Sequence, residues 1–142
     1  MSIQKAKALA TKGHEGQVDK RGEDYINHPI RVAERCSGKA KIVALLHDTV
    51  EDTYITLETI NKEFGIDIGN AVRMLTHTKG VPYMEYVERL SENKLAKEVK
   101  IADLLDNLDP DRDFKGRDNT KYNKAIAYLL NKWYNWYIIT QT

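Results

Sequence analysis

The segment that most constrains this chain is an apolar stretch that runs directly into a cluster of charged residues. Residues 42–46 read Ile-Val-Ala-Leu-Leu, and His47, Asp48, Glu51 and Asp52 follow within six positions. An apolar run of this kind is typical of a buried helix, whereas a carboxylate loses free energy on burial unless a cation or hydrogen bonds compensate. The segment therefore predicts a core helix that carries an imidazole and negative charge, and a divalent metal ion best fits that combination.

Helical patterns dominate the rest of the 142 residues. Apolar residues recur every three or four positions, between Gly, Pro or capping residues, at about 2–12, 29–38, 40–51, 56–65, 67–75, 82–90, 95–108 and from 119 onward. We find no alternating strand pattern, no low-complexity linker and no internal repeat. The sequence predicts a single all-α domain over residues 1–142, folded as a compact bundle of six to eight helices.

Composition argues against partners that need a strong electric field. The net charge is +1, from 22 basic and 21 acidic residues, which does not favour nucleic acid or a membrane surface. The N-terminus lacks the apolar segment of a signal peptide, and no apolar run approaches the roughly 20 residues of a membrane span. Cys36 is the single cysteine, so it has no partner for a disulfide within this sequence. We expect a cytoplasmic protein, monomer or homodimer, with a small-molecule partner.

The charged cluster has a spacing that suits metal chemistry. On a continuous helix, His47 and Glu51 lie one turn apart, as do Asp48 and Asp52, so the four share a broad face. Nitrogen and oxygen from adjacent His47 and Asp48 suit Mn²⁺, Fe²⁺ or Zn²⁺ better than Ca²⁺. Glu51 and Asp52 are then placed to transfer protons. The alternative is a helix end with solvated acids, which would oppose the helix dipole.

Two further ligand candidates lie elsewhere in the chain. His28 precedes Pro29 at the start of the second helix, where the alternative role is a helix cap. Asp103 interrupts an apolar helix face, and its alternative is a salt bridge with Lys100 or a nearby arginine. His28, His47, Asp48 and Asp103 together would leave coordination positions open, which is the arrangement of a catalytic rather than a structural metal site.

These stretches resemble the HD-domain superfamily of metal phosphohydrolases, and within it the small alarmone hydrolases related to the hydrolase half of RelA/SpoT proteins. The matching segments, in the family's order, are 14–17, 25–33, 45–53 and 100–103. The resemblance implies an all-α fold and one Mn²⁺ bound by His28, His47, Asp48 and Asp103. It also implies hydrolysis of the 3′-pyrophosphate of guanosine tetra- or pentaphosphate to GDP or GTP and pyrophosphate. The implied further roles are activation of water by Glu51 and Asp52 and nucleotide binding by Lys20 and Asn107.

The chain departs from the family pattern at three positions. Asp19 stands where the family often has a basic residue, although Arg21 is a candidate substitute; Leu104 and Asp106 stand where the family has a basic residue and an aromatic or histidine. We expect all three where the nucleotide lies, so they bear on the choice of nucleotide rather than on the metal. The alternatives are an HD-type hydrolase of another nucleotide, such as NADPH, and a nucleotide-binding regulator without turnover.

Three features outside the matched ligands have simpler interpretations. We expect His14 to brace a loop and His77 to lie on the surface. The aromatic cluster of the last helix favours packing onto the domain or a second subunit over stacking with nucleic-acid bases; it comprises Tyr128, Trp133, Tyr134, Trp136 and Tyr137.

Overall fold

A computed structural model of the chain describes the backbone of residues 2–111 and 117–141 and the side chains of residues 2–111 and 117–130. Within these residues there are eight helices of at least eight residues and one single turn: α1 Ser2–Gly13, α2 Asn27–Glu34, α3 Lys39–Leu46, α4 Thr49–Asp52, α5 Leu57–Phe64, α6 Ile66–Leu75, α7 Tyr83–Leu90, α8 Lys94–Asn107 and α9 Thr120–Gln141. One isolated bridge, Val18 to Asp24, is the sole β pairing in this part of the chain. The predicted all-α class is confirmed.

The third predicted helix is not continuous, and this corrects the expectation for residues 40–51. Helix α3 ends at Leu46 and α4 begins at Thr49, so His47 and Asp48 occupy the break between them. Side chains supply donors at this break: His47 Nδ1–H donates to Ala44 O at 2.6 Å and Thr49 Oγ1–H to Leu46 O at 2.7 Å. Short polar side chains that bond the preceding carbonyls compete with the helix for its acceptors. The four charged residues therefore do not share one helix face.

Helix α3 forms the centre of the core. It contacts α1, α2, α6 and α8, and Ala40, Val43, Ala44 and Leu46 are fully buried. A helix that is apolar on most of its circumference is stable only when surrounded in this way. The charged residues that follow Leu46 are consequently held at the inner end of a rigid, fully packed element.

Helix α8 brings a second set of charged residues to the same region. It packs against α2, α3, α6 and α9, and its Val99, Ala102 and Leu104 belong to the core. Helix α9 covers α8 with the buried Ala125 and Leu129. Of the predicted aromatic cluster, Tyr128 packs against the core; the side chains of Trp133, Tyr134, Trp136 and Tyr137 lie outside the described residues.

The ends of several predicted helices fall where the sequence places them. Thr56 caps α5 by accepting a hydrogen bond from Thr59 N at 3.2 Å. Gly65 separates α5 from α6 with a φ of 93°, a conformation that favours glycine. No helix in the described part of the chain is long and apolar enough to cross a lipid bilayer.

Two adjacent leucines of α8 provide a test of this packing. Leu104 is fully buried and Leu105 is 41% exposed. Leu104→Ala should lower the free energy of unfolding by about 2–5 kcal/mol, because a cavity is left in a packed core. Leu105→Ala is the matched control and should cost under about 1 kcal/mol. Urea unfolding of both variants measures the difference, and equal costs would contradict this orientation of α8.

Candidate metal-dependent active site

The packing of three helices assembles the four predicted ligands into one cluster. His28 lies on α2, His47 and Asp48 lie at the α3–α4 break, and Asp103 lies on α8. His28 Nε2 is 2.8 Å and His47 Nε2 is 3.3 Å from Asp103 Oδ1. Asp48 Oδ2 lies 3.1 Å from His47 Nε2 and 3.9 Å from His28 Nε2. Residues 75 positions apart thus direct nitrogen and oxygen atoms at one small volume.

The chemistry of this cluster fits a bound divalent cation. One ligand atom from each of His28, His47 and Asp103 lies within 4.8 Å of the others, and all three residues are buried. His47 Nε2 is buried and makes no well-aligned hydrogen bond among the described residues, although carboxylate oxygens of Asp48 and Asp103 lie 3.1 and 3.3 Å away. Two imidazoles and two carboxylates form a mixed set that suits Mn²⁺, Fe²⁺ or Zn²⁺. A cation at this point would engage the unsatisfied nitrogen and neutralise the carboxylates that converge on it.

The electrostatics show how strongly these groups interact. Burial opposes charge on His47, but the neighbouring Asp48 and Asp103 raise its pKa well above the ordinary value. Burial likewise opposes charge on His28, and its hydrogen bonds with Asp103 and Asp106 raise its pKa. The positive charge of His47 lowers the pKa of Asp48 to about 2 against the effect of burial. The cluster thus strongly favours positive charge at its centre, carried by protons or by a metal ion.

Asp103 has contacts that suit both of the roles considered from the sequence, a metal ligand and a salt-bridge partner of Lys100. Its Oδ2 accepts a hydrogen bond from Lys100 Nζ at 3.0 Å, while Oδ1 faces the two histidines. The Lys100 charge outweighs burial and holds the pKa of the Asp103 carboxyl well below its usual range. His28, in contrast, is not a helix cap, since Ile26 occupies the cap position of α2. The ion pair with Lys100 orients Asp103 and leaves its second oxygen directed at the cluster.

The tyrosine that precedes α2 also contacts the cluster. The Tyr25 hydroxyl donates to Asp48 Oδ2 at 2.5 Å, and its ring packs 4.9 Å from that of His14. His14 is buried, and its Nδ1 is 2.9 Å from Gln17 Oε1, as expected of a residue that braces this loop. Gln17 Nε2 in turn donates to the backbone carbonyl of Asp52 at 2.8 Å. The loop between α1 and α2 therefore contacts both Asp48 and Asp52, the first a predicted ligand and the second a predicted proton-transfer residue.

Glu51 and Asp52 lie on α4 at the exposed mouth of the cluster. Glu51 Oε1 accepts a hydrogen bond from the backbone N–H of His77 at 2.8 Å. Partial burial and the nearby negative charges of Asp48 and Glu51 raise the pKa of Asp52. A carboxylate whose pKa is raised is a better proton acceptor than an ordinary aspartate. These two residues can exchange protons with solvent, whereas His28, His47 and Asp103 behind them are buried.

The cluster opens into a cleft of about 320 Å³ that includes residues the sequence analysis missed. His77, expected on the surface, lines this cleft, and its ring stacks on Tyr86 at 4.5 Å. Lys121 and Tyr122 enter from α9, and Tyr83 enters from α7. No local sequence signal distinguishes these residues from surface residues, because the cleft forms only when α9 folds over α8.

A second cleft of about 280 Å³ adjoins the first and contains the predicted nucleotide-binding residues. Tyr25, Asn107 and Tyr122 line both clefts, and Lys20, Arg21 and Arg117 line the second alone. Asp19 also lies here, and its Oδ1 accepts hydrogen bonds from the backbone N–H groups of Arg21 and Glu23.

Two of the three departures from the family pattern lie away from both clefts, contrary to expectation. Leu104 is fully buried in the core, and Asp106 is 1% exposed. The Asp106 carboxylate lies behind His28, where Oδ2 accepts from Nδ1 at 2.6 Å and Oδ1 accepts from Arg31 Nε at 3.0 Å. On α8, Asp103 and Asn107 are four residues apart and face the cleft, so Leu104 and Asp106 must point elsewhere.

Comparison with known proteins identifies the family. A sequence model described as the HD domain matches residues 6–104. The chain belongs to the HD-domain family. This result confirms the resemblance that the sequence motifs indicated, and the matched range contains all four predicted ligands as well as Glu51 and Asp52.

Several relatives within the HD-domain family have assigned activities. A guanosine-3′,5′-bis(diphosphate) 3′-pyrophosphohydrolase of Xenopus tropicalis is 41% identical over 127 residues, covering 80% of this chain and 69% of the relative. The human enzyme of the same name is 40% identical over 114 residues, covering 70% and 64%. A probable GTP pyrophosphokinase of Mycobacterium leprae is 31% identical over 120 residues, covering 75% of this chain but 15% of the relative. This chain thus spans about two thirds of the length of these vertebrate relatives.

A solved structure supports the same grouping at the level of the fold. A metazoan ortholog of SpoT, described as hydrolysing ppGpp, superposes with a TM-score of 0.74 and 27% sequence identity. The match covers 91% of this chain and 85% of the other. The overall helix arrangement of this chain is therefore shared with that solved structure.

Metal binding to the cluster should stabilise the folded protein. At a free Mn²⁺ concentration about 100 times the dissociation constant, the gain in stability is about 2.7 kcal/mol for one site. Asp103→Asn should remove this gain, because the charge that faces His28 and His47 is lost. Asp67→Asn, on an exposed residue of α6, is the matched control and should keep it. The measurement is the thermal unfolding of each protein with and without Mn²⁺. If Mn²⁺ stabilises Asp103→Asn as much as it stabilises the wild type, Asp103 is excluded as a ligand.

Proposed function

We propose that this chain hydrolyses the 3′-pyrophosphate of guanosine tetra- or pentaphosphate, using one Mn²⁺ held by His28, His47, Asp48 and Asp103. The observation that carries the proposal is the cluster formed by the buried His28, His47 and Asp103 with the partly buried Asp48, which opens beside Glu51 and Asp52. The assigned activity of the relatives of about 40% identity is the same as the one predicted from the sequence motifs.

The reaction adds water across one ester bond. Water attacks the phosphorus bonded to the ribose 3′ oxygen, that phosphorus–oxygen bond breaks, and GDP or GTP leaves with pyrophosphate. The attacking water loses one proton and the 3′ oxygen gains one, so the site needs a proton acceptor and a donor. The bound metal ion supplies Lewis-acid chemistry, lowering the pKa of water and stabilising charge on phosphoryl oxygens.

Glu51 and Asp52 supply the proton transfers in this proposal. Both are exposed at the mouth of the cleft and adjacent to the ligand cluster. Asp52, whose pKa is raised, serves as acceptor for the proton of water. The His77 backbone N–H holds one oxygen of Glu51, which also lines the cleft, and Glu51 is assigned the second transfer. The loop residue Gln17 holds the backbone of Asp52 in position.

The two adjoining clefts suit a nucleotide with phosphates at both ends. Lys100 and Lys121 lie in the cleft with the ligands, where the 3′-pyrophosphate reacts. Lys20, Arg21 and Arg117 lie in the second cleft and suit the 5′-phosphates. The Tyr25 and Tyr122 rings and the Asn107 amide lie between them, at the position of the nucleoside. In this arrangement Arg21, not Asp19, provides the cation that the family places beside Lys20.

A substrate panel tests the function directly. Purified protein with and without Mn²⁺ should release pyrophosphate from guanosine tetraphosphate in a metal-dependent manner. NADPH and simple nucleotides form the comparison arms. Faster release of phosphate from NADPH would favour the alternative substrate, because the same machinery can hydrolyse another ester. Tight binding of a nucleotide without turnover of any would favour the regulator.

Glu51→Gln tests the proton-transfer role. The amide keeps the size of the side chain and can still accept the His77 hydrogen bond, but it cannot exchange a proton. We expect a reduction in kcat of roughly 10²–10⁴-fold with unchanged Mn²⁺ affinity. Glu85→Gln, on an exposed residue of α7, is the matched control. Full activity of Glu51→Gln would refute the role, and loss of Mn²⁺ affinity would make Glu51 a ligand instead.

Lys20→Ala tests whether the second cleft binds the nucleotide. Loss of one charge-assisted contact with phosphate should raise KM roughly 10-fold and leave kcat nearly unchanged. The exposed Lys12 of α1 lies outside both clefts, so Lys12→Ala should leave KM unaltered. Steady-state kinetics with guanosine tetraphosphate separate the two constants. An unchanged KM for Lys20→Ala would remove this residue from the binding site.

Three other features stay predictions of the sequence. They are the single domain over residues 1–142, the location in the cytoplasm, and a monomeric or homodimeric state.

A further inference from the structure

Asp106 occupies a buried position directly behind the proposed ligand His28. Its side chain is 1% exposed, and Oδ2 lies 2.6 Å from His28 Nδ1. The opposite ring nitrogen, Nε2, is the atom that faces Asp103 and the rest of the cluster. Since an ionised carboxylate can only accept, the proton of this bond belongs to Nδ1. Nε2 then has its lone pair available for a cation once its own proton is displaced.

The second proposed histidine ligand is oriented in the same way by a different group. His47 Nδ1–H donates to the backbone carbonyl of Ala44 at 2.6 Å, so its Nε2 also faces the cluster. Both histidines therefore use Nδ1 for orientation and Nε2 for the ligand position. The difference is that His47 bonds a neutral carbonyl, whereas His28 bonds a full negative charge.

Arg31 makes this charge tolerable in the core. Its Nε donates to Asp106 Oδ1 at 3.0 Å, one helical turn after His28 on α2. Asp106 thus connects α8 to two residues on the same face of α2, which restricts the rotation of its carboxylate. The family resemblance places an aromatic residue or histidine at this position, so the carboxylate is a feature of this chain.

We propose that Asp106 is a positioning residue for metal binding, which keeps the proton of His28 on Nδ1 and orients Nε2 toward the other ligands. The inference rests on the proposed function, because it requires His28 to be a metal ligand. A carboxylate that accepts from a histidine ligand fixes its tautomer and increases its basicity as a ligand. Among the described residues Asp106 lines neither cleft, and its contact with the ligand cluster is the one to His28.

The test is the Mn²⁺ affinity of Asp106→Asn, measured by counting free Mn²⁺ with electron paramagnetic resonance. Removal of a group of this kind weakens metal binding by about 10–100-fold. At saturating Mn²⁺, kcat should return to within about threefold of the wild-type value, because the catalytic acids are intact. The matched control is Asp109→Asn, since Asp109 pairs with Arg35 near the same end of α8 and contacts no ligand.

The outcomes separate this inference from the proposed function. Wild-type protein that binds no Mn²⁺ would overturn both, whereas wild-type binding with equal affinity in Asp106→Asn would overturn the positioning role alone. Lower thermal stability with unchanged Mn²⁺ affinity would likewise assign Asp106 a purely structural role. If Asp106→Asn does not fold, Asp106→His replaces it, because the family accommodates histidine there. The imidazole of Asp106→His is a neutral acceptor that should retain the orientation of His28 but not the charge, so its Mn²⁺ affinity should be lower than that of the wild type; an unchanged affinity would overturn the role of the carboxylate.

Discussion

The burial of the Asp103 carboxylate is the constraint on which the rest of the structure depends. A charge at this depth is stable only when both oxygens are engaged, and Lys100 engages one while His28 and His47 face the other. These contacts connect α8 to α2 and to the end of α3. Helix packing and site assembly are therefore one event, since the ligands converge only when the three helices pack.

The sequence predicted the all-α class because helical periodicity, caps and glycine stops are local signals. It also singled out the residues of the cluster, because carboxylates and histidines within apolar stretches need compensation. The reasoning about the 47–52 segment nevertheless used a wrong geometry. The break after Leu46 depends on the bonds of His47 to Ala44 O and of Thr49 to Leu46 O, which periodicity does not encode. The residues converge because α2 and α8 face this break.

The remaining errors concern residues whose direction depends on tertiary packing. Leu104 and Asp106, which lie between Asp103 and Asn107 in the chain, were expected beside the nucleotide because they depart from the family pattern. Successive helix residues differ by about 100° in direction, so neighbours of a cleft residue point away from the cleft. Applying this periodicity to α8 would have corrected the assignment. His77 and Tyr122 gave no such opportunity, because they enter the cleft from a loop and from α9.

The balance of charge explains why a bound cation, rather than a further basic side chain, suits the cluster. With both histidines neutral, the carboxylates of Asp48, Asp103 and Asp106 face Lys100 and Arg31, which leaves one negative charge uncompensated. A divalent ion reverses that sign and makes the inner end of the cleft attractive to phosphate oxygens. A third basic side chain could neutralise the cluster, but it could not act as a Lewis acid toward water or a phosphoryl oxygen. In the proposed function, the same groups that make burial costly without metal would therefore create the affinity for metal and, through it, for a polyphosphate substrate.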